Sequence, residues 1–236
     1  MKHGKWMLIL MIFIVGFTMI ASALIIGKTA QAVSSETALR SRQVIIIDPG
    51  HGGEDGGAIS CTGRKESDLN LEISLRLRDL LKLLGMKVYM IRTSDISIYT
   101  SGTTLAQKKM SDLKERVRII NQTDHSLMLS IHQNSFPQER YSGPQVFYAN
   151  PDSRKPAEML QAMLNDHLKP NNPRSIKKSS GVYLMEHIDN VGLLTECGFL
   201  SNYEEEALLH SRDYQLKLCC VLGAFCSAYL EEVNKA

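Results

Sequence analysis

Residues 44–57, Val44 through Gly57, read VIIIDPGHGGEDGG, and the fold is decided in this stretch. Val44, Ile45, Ile46 and Ile47 form an unbroken β-branched run, the composition of a strand buried on both faces. Pro49 stops the run, and Gly50, Gly52 and Gly53 give the following loop backbone conformations closed to other residues. His51 is thereby presented at the carboxyl end of a strand, where open α/β sheets keep their ligands. A phosphate-binding loop is the competing reading, and it fits poorly. Asp55 stands where G-x-G-x-x-G needs its last glycine, Glu54 and Asp55 repel phosphate, and the next strong helical pattern starts only near Glu66.

Beyond this loop, strand-like and helix-like segments alternate, which predicts a single α/β domain: a twisted, mostly parallel or mixed sheet of about six strands with helices on both faces. The candidate strands are residues 44–48, 87–91, 126–131, 145–148, 181–184 and 192–195. Helical spacing recurs through Leu69, Ile73, Leu77, Leu80 and Leu84, and again through Leu113, Val117 and Ile120. Further helices are expected over 156–167 and 213–232. Residues 93–109, 136–143 and 169–180 carry the Gly, Pro, Ser and Asn content of surface loops. The third of these holds Lys169, Arg174, Lys177 and Lys178, which reads as a solvated basic loop or as a contact for an anionic polymer.

The amino terminus has a different character. Residues 6–27 are 22 consecutive uncharged, mostly apolar residues behind Lys2 and Lys5. As a helix they would span roughly 33 Å, enough for the hydrocarbon core of a bilayer. The preceding lysines favour a cytoplasmic amino terminus and an exported, extracytoplasmic remainder. Ala30-Gln31-Ala32 offers a small-x-small cleavage site, yet the apolar run is longer than a usual signal core. Residues 1–32 are thus expected to be a signal peptide or a membrane anchor, 33–42 a polar linker, and 43–236 the folded domain.

Lys2, Lys5 and Lys28 are the basic residues ahead of Val33, and no acidic residue precedes it. Of 27 basic and 25 acidic residues in all, the exported part keeps 24 against 25. That balance carries no nucleic-acid footprint. The five cysteines, Cys61, Cys197, Cys219, Cys220 and Cys226, are odd in number, and three fall in one carboxyl-terminal helical pattern. They read as small core residues rather than a disulfide framework.

The pattern at His51 repeats. Residues 127–131 are a second strand-like run, ending on His132, and residues 191–195 are a third, ending on Glu196. If these strands lie parallel in one sheet, His51, His132 and Glu196 converge at its carboxyl edge. Two neutral imidazoles suit Zn²⁺, and a catalytic zinc site adds one more protein ligand while leaving a position open. Glu66, at the start of the helix after the glycine loop, is a candidate third ligand, with Glu54, Asp55 and Glu72 as competitors. An interaction with the helix amino terminus is the structural alternative for Glu66. Glu196 remains as a general base, or as a strand-end carboxylate paired to a cation.

Taken together, IIIDPGHGGEDGG, KESDLNLEISLRLRDLL, VYMIRTSD, LKERVRIIN, LSIHQN and LLTECGFLSN, in that order, resemble the zinc-dependent N-acetylmuramoyl-L-alanine amidases known as the amidase 3 family. The resemblance runs from Val44 to Leu230. It implies metal ligands at His51, Glu66 and His132, a catalytic carboxylate at Glu196, and Zn²⁺ as cofactor. It also implies peptidoglycan glycan strands and stem peptides as partners, met in an open groove rimmed by residues 136–143. The compact chain, KKMSDLKERVRIIN and GVYLMEHIDNVGLLTECGFLSN look most like the germination-specific branch of spore-forming bacteria, which implies a role in muramic δ-lactam formation in spore cortex. Gln133 and Cys197 depart from the residues usual at their positions. Two rivals stand beside this reading. One is another exported zinc hydrolase, a carbohydrate deacetylase or peptidase; the other is a wall-binding module without activity. No residue pattern speaks for or against an accessory protein.

Overall fold

The computed structural model describes residues 43–169 and 171–235, together with Ser22 and Ile25. Apart from those two residues, the apolar run, the small-x-small site and the linker expected from the sequence lie outside the described residues. Among the described residues no helix is long and apolar enough to cross a membrane.

The domain is α/β with one six-stranded sheet. In chain order its elements are β1 (Val44–Pro49), α1 (Glu66–Leu83), β2 (Lys87–Met90), α2 (Leu105–Asn121), β3 (Ser126–Asn134), β4 (Gln145–Tyr148) and α3 (Arg154–Leu168), followed by β5 (Lys177–Lys178), α4 (Tyr183–His187), β6 (Val191–Phe199), α5 (Tyr203–His210) and α6 (Arg212–Lys235). The strand order is β2-β1-β3-β6-β4-β5. Strands β2, β1, β3 and β6 are mutually parallel, β4 runs antiparallel to β6, and β5 lies parallel to β4.

Alternation along the central strands feeds two cores. Ile45, Ile47, Leu127, Leu129, Ile131 and Leu193 face α1, α3 and α6, where Leu69, Ile73, Leu77, Leu160 and Phe225 pack against them. Val44, Ile46, Met128 and Leu194 face the other side, covered by Ile120 of α2 and by Leu184, Met185 and Ile188 in and after α4. Both faces of β1 are therefore dry, and a continuous apolar run is what such a strand requires.

Two expectations need correction, and one helix is additional. The strand expected at 181–184 is not one. The chain turns at Gly181 with a φ of 73° and enters the short helix α4, while the edge strand is Lys177–Lys178. Four apolar residues cannot separate the periods of strand and helix, and two lysines carry no strand signal at all. The loop expected over 93–109 ends early. Thr104 and Gln107 form a capping box, each side chain bonding the other's backbone N–H, and this starts α2 at Leu105. Helix α5 was not anticipated; Asn202 caps it by accepting from the Glu205 N–H.

Candidate metal centre

The loop after β1 is held by buried charge. Arg116 of α2 is buried, and its guanidinium donates to Asp112 (Nε to Oδ2, 2.6 Å), to Asp48, to the Pro49 carbonyl (3.0 Å) and to the His51 carbonyl (2.8 Å). Arg92, also buried, donates to the carbonyls of Pro49 (2.9 Å), Gly50 (3.0 Å) and Ser67 (2.8 Å). Backbone carbonyls that no strand can satisfy thus find partners in two guanidinium forks. Burial disfavours the Asp48 carboxylate, but Arg116 and the Ser130 hydroxyl offset it and hold the pKa below the usual range. His51 takes a φ of 61°, a left-handed conformation uncommon outside glycine, inside this framework. Gly50 answers a different need: a Cβ there would lie 2.2 Å from His132 Nε2.

Three side chains meet above this loop. His51 Nε2 lies 3.2 Å from Glu66 Oε2, and His132 Nδ1 lies 2.9 Å from Glu66 Oε1. One ligand atom from each of His51, Glu66 and His132 falls within 4.8 Å of the others, close enough for one cation to reach all three. Glu66 is buried at the first position of α1, and its carboxylate also accepts from the Ala58 N–H (3.0 Å), the Gln133 N–H (3.2 Å) and Asn70 Nδ2 (3.2 Å). The competing acids are engaged elsewhere. Glu54 pairs with Lys108 (2.6 Å), and Glu72 pairs with Arg76 (2.9 Å). Asp55 accepts from His51 Nδ1 (2.9 Å) and pairs with Lys109 (3.0 Å), so it fixes the far side of the ring and leaves Nε2 toward the cluster.

The electrostatics favour positive charge here. Burial opposes protonation of His51, yet hydrogen bonds to Asp55 and Glu66 more than offset it and raise the pKa to about 9. Burial likewise opposes ionisation of Glu66, but the two imidazoles hold its pKa far below the carboxylate range. Two ring nitrogens and an ionised carboxylate within reach of one another are the donor set and charge for a divalent metal ion.

Glu196 completes the group. It is in register with His132 across β3 and β6, and so lies on the same sheet face. Its Oε2 is buried and has no hydrogen-bond partner, and burial raises its pKa to about 7. No cation pairs with it among the described residues, contrary to the strand-end ion pair that the sequence left open. His51, His132, Glu196, Lys109 and Tyr183 line one cavity of about 290 Å³.

A family model for N-acetylmuramoyl-L-alanine amidases matches residues 45–220. The chain belongs to that family. This amidase is 40% identical over 183 residues to the germination-specific N-acetylmuramoyl-L-alanine amidase of Bacillus subtilis, covering 75% of this chain and 76% of the relative. In structure it is similar to the CwlD amidase of Clostridioides difficile, solved in complex with the GerS lipoprotein, with a TM-score of 0.76 and 36% identity over 80% of this chain and 98% of that one. A second Clostridioides difficile N-acetylmuramoyl-L-alanine amidase gives a TM-score of 0.69 at 28% identity, over 81% and 98%. The amidase is thus a hydrolase of the peptidoglycan amide between N-acetylmuramic acid and L-alanine, in a family that uses a metal. That decides against the deacetylase, the peptidase and the inactive module.

The structure brings together all four residues singled out in the sequence. Missed were Arg92 and Arg116, which hold the loop, and Asn70 and Gln133, which are linked to each other (3.2 Å) behind Glu66. The sequence carries no signal for the arginines: Arg92 precedes the polar Thr93, Ser94 and Asp95, and Arg118, which shares RVRII with Arg116, is exposed.

Proposed function

We propose that this amidase is zinc-dependent, that His51, Glu66 and His132 hold the ion, and that Glu196 is the catalytic acid and base. The observation that carries the reading is the partnerless Glu196 oxygen on the sheet face shared with His132, beside a cluster built to hold positive charge. When bound, the ion supplies Lewis acidity to the scissile carbonyl and to the attacking water. Glu196 takes the proton that water loses as its oxygen bonds to the lactyl carbonyl carbon. It then gives that proton to the alanine nitrogen as the C–N bond breaks, leaving a lactyl carboxylate and a free peptide amine. A carboxyl held near 7 by burial is suited to both transfers.

The physiological reading is removal of stem peptides from muramic acid in spore cortex, ahead of δ-lactam formation and germination; the Bacillus subtilis relative supports it. Residues 1–32 act as export signal or membrane anchor, 33–42 as linker and 43–236 as catalytic domain in the extracytoplasmic space. The complex of the Clostridioides difficile relative with a lipoprotein supports an accessory partner for this chain too.

The test combines mass spectrometry of digested peptidoglycan with metal analysis. The wild type should release peptides beginning with L-alanine and carry zinc. Glu196→Gln should keep zinc and lose about 100-fold or more in turnover. Unchanged turnover in that variant sinks the assignment of Glu196, and full zinc occupancy in His132→Ala sinks the ligand set.

A further inference from the structure

Glu196 is shared by two cavities. The first, on its His51 and His132 side, holds the cluster described above. The second, of about 250 Å³, adjoins it, shares Val182, Leu194 and Glu196 with it, and contains none of the cluster residues. Its other walls include Phe147, Lys177, Lys178 and Ser179. Chemistry orients the substrate between them. The scissile carbonyl belongs with the cationic cluster and the leaving nitrogen with the proton donor, so the chain attached to that nitrogen continues into the second cavity.

The charge of the two cavities differs. On the cluster side both cations are paired: Arg116 with Asp48 and Asp112, Lys109 with Asp55. At the second, Lys177 and Lys178 are exposed on the two-residue strand β5, opposite Phe147 and Tyr148 of β4. Lys108, Lys109, Lys155 and Lys169 each pair with a carboxylate, whereas among the described residues Lys177 and Lys178 do not. Glu186, which lines an adjoining cavity with Lys178, forms no ion pair with it and accepts from the Gly181 N–H (2.5 Å). Ser179 adds a buried hydroxyl with no partner. Lys177, Lys178 and the unpartnered Ser179 hydroxyl therefore line this cavity together with Phe147.

We propose that this cavity is the subsite for the leaving stem peptide, and that Lys177 and Lys178 bind the carboxylates of the acidic residues that follow L-alanine. The proposal rests on the reading of Glu196 as the group that protonates the leaving nitrogen. The two lysines then determine specificity: an amidase so equipped distinguishes free stem carboxylates from amidated ones.

Product binding tests this without turnover. The probes are L-alanyl-D-glutamate and its diamide, titrated into the full chain by calorimetry. The wild type should bind the acid about fivefold more tightly than the amide, the size expected for exposed charge pairs, and the preference should shrink as salt is raised. Lys177→Gln with Lys178→Gln should bind both peptides alike, at the affinity of the wild type for the amide, and the corresponding arginine substitutions should restore the preference. Equal binding of acid and amide by the wild type, no binding of either, or a preference that survives the double substitution overturns the proposal. Release of stem peptides from peptidoglycan by the wild type, measured in parallel, tests the amidase mechanism separately. A positive release assay beside a failed titration removes the subsite alone.

Discussion

Replacing Arg116 by Met should unfold this protein more readily than any surface change. The methionine keeps the apolar stem, but Asp48 loses the guanidinium, the His51 carbonyl loses its donor and the Pro49 carbonyl keeps only Arg92. Asp48 is then a buried carboxylate with only the Ser130 hydroxyl (2.7 Å) as a direct partner. Removing one partner of a buried ion pair costs about 3–5 kcal/mol. For a domain of this size that is roughly 10 °C in melting temperature. Urea denaturation at pH 7 measures it, and adding Asp48→Asn should recover half or more, because an amide with the Ser130 contact carries no charge to desolvate. The effect of pH has a definite sign. In the wild type the folded-state pKa of Asp48 is depressed, so its contribution is present above the unfolded pKa and is lost as pH falls through the lower folded value. In Arg116→Met, burial acts without the cation and raises that pKa above the unfolded value, so the penalty is full at neutral pH and fades as pH falls. The gap between the two proteins should therefore narrow from pH 7 to pH 5. A loss under about 1 kcal/mol, or no recovery from Asp48→Asn, refutes the account of this pair.

Two further outcomes are expected. Gly50→Ala meets no backbone strain, since Gly50 has no positive φ, but its new Cβ would lie 2.2 Å from His132 Nε2. The ring must move, and zinc affinity measured against a chromophoric chelator should fall about 100-fold with the fold retained; unchanged affinity would show that His132 is not held where it must be to bind. In native protein, a maleimide should label exposed Cys220 first and half-buried Cys61 more slowly, while Cys197, Cys219 and Cys226 react only after unfolding. Burial pushes Cys219 and Cys226 up to about 12 and Cys197 higher still. Mass spectrometry of peptides from briefly labelled protein reads this directly, and early labelling of Cys197 would contradict the packing beside Glu196.

The parallel centre of the sheet was legible because β1, β3 and β6 are apolar enough to announce burial on both faces, and because each ends on a residue that core packing does not explain. His51, His132 and Glu196 follow from that pattern. The choice of Glu66 did not, since sequence spacing cannot show that Glu54 and Glu72 turn toward Lys108 and Arg76. The outer strands were less readable. Strand β4 carries no mark of its antiparallel direction, and β5 is two lysines held by backbone pairing alone. The apolar residues of α4 were mistaken for a strand because both elements cover a sheet face with the same side chains. Arg92 and Arg116 escaped because their partners are mainly backbone carbonyls of a distant loop, which side-chain patterns do not encode.

The proposed ligands and base arrive on separate pieces of chain: His51 and Glu66 flank one loop, His132 follows on β3 and Glu196 on β6. Metal uptake then reports that β3 has docked on β1, and hydrolysis reports in addition that β6 has docked on β3. Such pairings between remote segments are slow to form, and a ligand that binds only their product pulls the equilibrium toward it. Followed during refolding, the two signals would time successive closures of one sheet, so the placement of the chemistry also makes the enzyme a recorder of its own assembly.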